Sequence, residues 1–426
     1  MKRYEKYKPT GIQWLPEIPE HWKVQRFGSL FKRKVVANDP SKELLSVFLD
    51  RGVIKASESD KRTHQASDDL SKYQLVEPTD FVMNNQQAWR GSVGVSNFIG
   101  IISPAYHLFA MPSCYNPHYA NYLLRDRVMV NLYDMSSKGV GSIQRTLNFN
   151  WLNNGKCILP SITEQNKIVA YLNKRITLIE NCKCHREREL RTLNELKQAE
   201  IASVVTRGLN PDVPMVYMDT PLKTKHPSHW KRVRNMTFLI EQTEKVGKQA
   251  DDYQLLSLTT NGIIVRDVES GKGKFPKDFE SYKVVEPGEL VFCLFDIDET
   301  PRTIGLSQNH GMITGAYDVF KVKEDIVNPS FVYAFYLVID NIKALKPYYS
   351  GLRKVVKHNR FMQIGFALPP IEEQNAIVEY IESKTNKIDT MIEALKAEID
   401  RLTEYKQRLI SDVVTGQIDV RGEQIQ

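Results

Sequence analysis

The stretch Leu159–Thr206 recurs without a gap as Leu368–Thr415, with about 40% of its positions identical. Leu-Pro-Ser-Ile-Thr-Glu-Gln-Asn-Lys-Ile-Val-Ala-Tyr answers Leu-Pro-Pro-Ile-Glu-Glu-Gln-Asn-Ala-Ile-Val-Glu-Tyr. A repeat of this length constrains the architecture before any residue is given a role: the chain is built twice. Shorter anchors carry the duplication beyond the helices. Tyr73–Val82 aligns with Tyr282–Val291, Ala105-Tyr106 with Ala316-Tyr317, and Asn116-Pro117 with Asn328-Pro329. Pro19-Glu-His-Trp-Lys23 likewise aligns with Pro227-Ser-His-Trp-Lys231. Between the anchors the loops diverge, as two binding surfaces of different specificity on one scaffold would require.

The expected layout is a first globular domain over 1–158, a long helix over 159–208, a second globular domain over 209–367, a second long helix over 368–416, and a tail over 417–426. Ser161-Ile-Thr-Glu164 has the form of a capping box, with the serine satisfying the first turn and the glutamate reaching back. Pro160 and Pro369-Pro370 precede the helices, and Gly208 and Gly416 follow them as stop signals. About 45 residues at 1.5 Å per residue make a rod on the order of 65 Å.

In the second rod Ile381, Ile388, Ile392, Leu395, Ile399, Leu402, Leu409 and Val413 recur at spacings of three and four, a coiled-coil seam. In the first, Ile179, Leu190, Leu193 and Val204 hold the register, with Lys183 and Arg186 interrupting it. Neither helix is stable alone in water, so the expected solution is an antiparallel pair. The competing solution packs each rod only on its own globular domain.

A chain of 426 residues can bury two or more cores. No apolar run approaches the roughly 20 residues of a membrane span. The opening Met1-Lys-Arg-Tyr-Glu-Lys-Tyr-Lys lacks a signal peptide's apolar segment. Five cysteines, odd in number and irregularly spaced, suit a reducing cytoplasm better than a disulfide framework.

The net charge of +7 permits an anionic partner. Asn341–Arg360 contains no acid but carries Lys343, Lys346, Arg353, Lys354, Lys357 and Arg360 among Tyr348, Tyr349 and His358. The equivalent Met135–Ile158 is also acid-free and holds Lys138, Arg145 and Lys156. An acid-free basic stretch at the same place in both halves points to phosphate binding.

Two globular regions, each closed by Leu-Pro-x-Ile-x-Glu-Gln-x-x-Ile-Val and a long helix, resemble the specificity subunit of Type I restriction–modification systems. The Pro-Glu-His-Trp-Lys opening and the Glu-Pro-Gly-Glu-Leu-Val segment of the second half strengthen the likeness, which covers essentially the whole chain. The resemblance implies an α+β fold: two similar target-recognition domains separated by an antiparallel pair of long coiled-coil helices, in a pseudo-two-fold duplicated chain. It implies a non-catalytic subunit in which each globular region reads one half of a bipartite, asymmetric site in double-stranded DNA. The helices would set the spacing and dock two methyltransferase subunits for adenine N6 methylation. Motor-nuclease subunits would add restriction. S-adenosylmethionine, ATP and Mg2+ are then expected on the partners and no cofactor on this chain.

Motifs for chemistry within the chain read as structural. Asn116-Pro-His-Tyr119 is close to the Asn-Pro-Pro-Tyr loop of adenine methyltransferases, but the second proline is missing, and Asn-Pro opening an apolar helix is a capping signal. Gly271-Lys-Gly-Lys274 lacks the spacing of a phosphate loop. Cys182-Lys-Cys184-His185 has no second ligand pair for a metal. Asp296-Ile-Asp298-Glu299 has no acidic counterpart in the first half and reads as a loop.

Direct base reading needs Arg, Asn or Gln on an exposed loop. Asn84, Asn85, Gln86 and Gln87, followed by Trp89 and Arg90, are the leading candidates in the first half. In the second the counterpart is Cys293–Arg302, with Arg302 as the reader. Lys138, Gln144 and Arg145, and Tyr348, Arg353, Lys354, Lys357 and His358, are assigned mainly to phosphate. Gly139, Gly141 and Gly351 let backbone approach it. A duplicated coiled-coil scaffold without sequence-specific DNA binding is the alternative function.

Overall fold

The computed structural model describes residues 2–34, 39, 41–58, 70–139, 145–266 and 279–423. Gln144, Gly141 and the glycine–lysine turn at 271–274 lie outside them. The chain divides into two compact units, Met1–Glu187 with Ala397–Gln426, and Arg188–Lys396. The two repeated segments form helices of 46 residues, Ile162–Arg207 (the central helix), and 44 residues, Ile371–Val414 (the distal helix). Each unit therefore contains part of both.

The duplication extends to strand order. In the first unit a four-stranded antiparallel sheet runs Lys32–Lys34, Tyr106–Ala110, Phe81–Asn84, Val93–Val95. In the second the order is Leu239–Gln242, Asp318–Val322, Leu290–Phe292, Ile304–Leu306. In each sheet the edge strand given first is largely exposed, and the other three are buried on both faces. Because successive side chains in a strand alternate, Phe81, Met83 and Phe109 enter the main core, while Val82 and Leu108 join a second cluster with Val47, Val53 and Val76. Leu290 and Phe292 against Val291 divide in the same way in the second unit. The halves differ after their Asn-Pro caps. Asp126 accepts from the Val128 amide and starts a second helix, Arg127–Met135, whereas Pro329–Asn341 is one uninterrupted helix that contains Asp340.

The repeated Glu-Gln-Asn clamps each helix to its domain. Gln165 is fully buried; its amide donates to the carbonyls of Cys114 (2.9 Å) and Pro160 (3.0 Å) and its oxygen accepts from Asn116 N (2.7 Å). Gln374 repeats this with Ile326 (3.1 Å), Pro369 (2.9 Å) and Asn328 N (2.8 Å). Asn116 and Asn328 cap their helices as the sequence suggests, and each also donates to the asparagine after the glutamine, Asn166 (2.7 Å) and Asn375 (2.9 Å). Every polar atom of the buried amide has a partner, so its burial costs little.

The capping box forms only in half. The Glu164 amide donates to Ser161 Oγ at 3.3 Å, but the Glu164 carboxylate turns away to the Tyr4 hydroxyl (2.7 Å) and His21 Nε2 (2.9 Å). His21 belongs to Pro-Glu-His-Trp, and Glu373 binds His229 of the second copy in the same manner at 2.7 Å. One repeated motif thus holds the other.

The helix pairing is antiparallel within each unit. In the first, Lys406 bonds Glu180 (2.7 Å) and Arg186 meets Glu398 (3.0 Å), around the buried Ile179 and Leu409 and the partly buried Leu402. In the second, Lys197 bonds Asp389 (2.6 Å) and the Tyr380 hydroxyl donates to Glu200 (3.3 Å). Ile388 and Ile392 are buried and Leu190, Leu193, Leu395 and Ile399 half-buried. Val204 is buried with Ile201, Val205 and Ile377 in the second core.

The distal helix ends in the first core, where Val413 and Val414 pack with Trp22, and Gly416 lies so close that a Cβ there would sit 2.5 Å from Pro19. Gly416 and Gly208 both adopt positive φ, 75° and 72°, closing the helices in the conformation glycine favours. The tail continues this packing: Val420 is buried and the Asp419 amide donates to the Lys2 carbonyl. The rods therefore pack on each other and on the globular cores.

Candidate nucleic-acid interface

In the first unit the structure brings two sequence-distant candidate segments together. The loop after Phe81–Asn84 carries Trp89, and the guanidiniums of Arg90 and Arg145 each lie 4.6 Å from its ring centroid. Arg145 also pairs with Asp134. It enters from the hairpin whose paired bases are Ser137–Lys138 and Thr146–Leu147. Asn85 Oδ1 accepts from the Leu147 amide at 3.3 Å, tying loop to hairpin.

Within the loop the residues have different jobs. Asn84 Oδ1 accepts from the amides of Gln86 (2.9 Å) and Gln87 (3.2 Å), closing an Asx turn, and Trp89 Nε1 donates to the Gln86 carbonyl at 3.0 Å. Asn84 and Asn85 are thus committed to shaping the loop. The side-chain amides of Gln86, exposed, and Gln87, half-buried, have no hydrogen-bond partner among the described residues. Lys138 is exposed and stands 4.6 Å over the ring of Trp151, a half-exposed aromatic that the sequence reading passed over. A tryptophan on a polar helix face among cations was the available signal.

Behind this surface lies His107, which pairs with Met83 across the sheet and stacks edge-on against Phe149 at 4.6 Å. Among the described residues neither ring nitrogen has a partner. Burial, with a smaller contribution from Arg33, pushes its pKa down to about 4. The fold therefore favours the neutral ring, and the unfolded chain takes up a proton first, near pH 6.5. Stability should be full above pH 6.5 and fall by up to roughly 3 kcal/mol as pH drops toward 4. Urea titrations of His107→Phe against the native protein at pH 7 and pH 4.5 check this. An acid loss equal in both would refute it.

In the second unit, sequence-local charge and spatial charge disagree. Arg302, expected as a base reader, has a structural job instead: its guanidinium donates to Asp340 Oδ2 and Asn341 Oδ1, both at 2.9 Å, with 16% of the side chain exposed. Within the acid-free run, Lys343 pairs with Asp340 (2.8 Å), Lys346 with Asp298 (3.5 Å), and Lys354 with Asp298 (3.4 Å) and Glu299 (3.1 Å). Burial opposes ionisation of Asp298, yet the Tyr349 hydroxyl and the Lys354 and Lys346 ammoniums hold its carboxyl below the ordinary value. Asp298 and Glu299 are thus committed to lysines.

His358 lies 3.6 Å from Glu241, and Tyr348 is half-buried under Arg360. Arg353 and Lys357 remain: both are exposed, and neither side chain has a partner among the described residues. The two candidate surfaces therefore present different chemistry: amides and a guanidinium–indole stack in one, and in the other Arg353 and Lys357, without a partner among the described residues.

No helix among the described residues is long and apolar enough to cross a membrane. This fold defines a class: a duplicated α+β chain in which two similar sheet domains share one antiparallel pair of long helices. A chain from the complex assembly and conformational transition of the type I R-M system superposes with a TM-score of 0.65 at 12% identity, covering 94% of this chain and 99% of that one. The HsdS subunit from Thermoanaerobacter tengcongensis gives 0.47 at 15% identity (94% and 98% covered), and the Type-I restriction-modification system S subunit from M. genitalium 0.34 at 13% (92% and 96%). At these identities the first establishes a shared fold, and the other two carry no argument. No protein-family model and no curated protein matches the chain.

Proposed function

We propose that this chain is the DNA-recognition subunit of a Type I restriction–modification complex, without catalysis of its own. The observation that carries the reading is the end-to-end likeness to a chain of the type I R-M system, 94% of one on 99% of the other. The duplicated platform with two unlike surfaces supports it. On this reading each unit reads one half of a bipartite site in double-stranded DNA, and the long helices set the interval and dock two methyltransferase subunits. S-adenosylmethionine is bound by those partners, and ATP and Mg2+ by motor-nuclease subunits.

Gln86 and Gln87 are the base readers of the first unit, with Arg90 and Arg145 on phosphate. Arg353 and Lys357 are the phosphate contacts of the second. Methylome sequencing of a host expressing the chain with its methyltransferase should reveal one asymmetric, two-part adenine-methylated motif. Gln86→Ala or Gln87→Ala should relax one base of one half-site, at a cost of about 1–3 kcal/mol in discrimination. If the methylated motif is absent, or present without this chain, the reading fails and a scaffold role takes its place.

A further inference from the structure

Leu352 is fully exposed, beyond every other large hydrophobic of the described residues, whose exposures reach at most 63%. A lone surface leucine ordinarily needs no explanation; its mounting is what sets this one apart. Ser350 and Val355 exchange backbone hydrogen bonds at 2.9 and 3.1 Å, and the Lys354 amide donates to the Gly351 carbonyl at 3.1 Å. Gly351 and Lys354 turn the chain with φ of 77° and 47°. The result is a tight turn closed by a single antiparallel bridge, a minimal ribbon whose tip is Gly351-Leu352-Arg353-Lys354.

The ribbon is anchored from behind. The Arg353 carbonyl accepts from the Asp296 amide (2.9 Å), the Val356 amide donates to the Leu294 carbonyl (2.8 Å), and Val356 is buried in the core. Lys354 is held by Asp298 and Glu299. What is left unspent at the tip is one apolar side chain and, beside it, the cations Arg353 and Lys357.

An apolar tip accompanied by two exposed cations without a partner among the described residues complements a DNA groove. Phosphates line its walls, and base-pair edges form a less hydrated floor. A major groove about 12 Å wide admits a two-stranded β-ribbon and so has room for this narrower turn, and apolar side chains there contact base edges. Two acids that reach this loop from outside the acid-free run, Asp298 and Glu299, are paired with Lys354 and so do not take up Arg353 or Lys357.

We propose that the 350–355 ribbon enters a groove of the DNA and that Leu352 packs on the base pairs while Arg353 and Lys357 hold the flanking phosphates, an assignment that rests on the DNA-recognition reading above. Because Leu352 touches nothing in the fold, its substitution leaves the folded chain intact. The test uses the chain assembled with its methyltransferase and two duplexes of equal length, one with the site mapped by methylome sequencing and one scrambled.

Leu352→Ala should lower affinity for the mapped site roughly tenfold with no change in the dependence on salt. Leu352→Met should restore most of it, and Arg353→Ala should reduce the salt slope by about one. Unchanged affinity in Leu352→Ala overturns the assignment. So does a loss that reduces the salt slope, or a failure to assemble with the methyltransferase, which would make the tip a protein contact. If the native assembly does not distinguish the two duplexes, the DNA-recognition reading itself falls, and that failure is visible before any variant is made.

Discussion

Asp340→Ala is expected to destabilise the second unit by about 3–5 kcal/mol, the range for removing one partner of a buried ion pair. Asp340 is 3% exposed and accepts from Arg302 (2.9 Å), Lys343 (2.8 Å), the Thr303 amide (3.1 Å) and the Thr303 hydroxyl (2.6 Å). Alanine leaves the Arg302 guanidinium and the Thr303 donors without their acceptor. For a unit of this size the unfolding temperature should fall by roughly 10 °C, read by calorimetry. Adding Arg302→Met to Asp340→Leu should recover much of the loss, because a well-packed apolar pair can replace a buried charge pair. A single-variant loss below 1 kcal/mol would show that the network is ornamental.

The largest functional effect is expected from exchanging residues 1–158 with those of another chain of this fold and different specificity. One half of the methylated motif should change and the other stay. The structure sets a condition on the exchange. The first core contains Leu409, Val413 and Val414 from the distal helix together with Trp22, and the Tyr119 hydroxyl donates to the Val414 carbonyl at 2.9 Å. The graft must therefore keep Pro19, Trp22 and Tyr119, or bring its own 397–426. Methylome sequencing of the chimera gives the outcome, and a change in both half-sites would end the idea of independent readers.

The sequence reading succeeded where the signal was periodic or repeated. The two long helices, their start and stop residues, the asparagine caps and the apolar seam are all written in spacing, and the helices form with those caps and that burial. It went astray where a side chain had two possible partners. Glu164 was placed in a capping box but serves Tyr4 and His21, both far away in sequence. The repeated Gln165 and Gln374 were visible as identities, yet nothing local indicated that each would be buried under three hydrogen bonds.

The candidate interface shows the same divide. Asn84, Asn85, Gln86 and Gln87 look alike in sequence, and only the folded turn separates the two that build the loop from the two whose side chains have no partner among the described residues. The acid-free run at 341–360 suggested an open basic surface, but Asp298, Glu299 and Asp340 arrive from outside it and neutralise Lys343, Lys346 and Lys354. Arg302 was assigned outward for want of knowing where Asp340 would lie.

By itself, then, the sequence determined that the chain is a tandem of two related modules with two long amphipathic helices, because periodicity and self-similarity are properties of order along a chain. Only the tertiary structure decided which cations stay unpaired, which amides stay unspent, and that the end of each helix completes the core of the globular domain preceding the other helix. Those outcomes depend on distances between residues from a few to hundreds of positions apart, and charge neutralisation and hydrogen-bond satisfaction act through space.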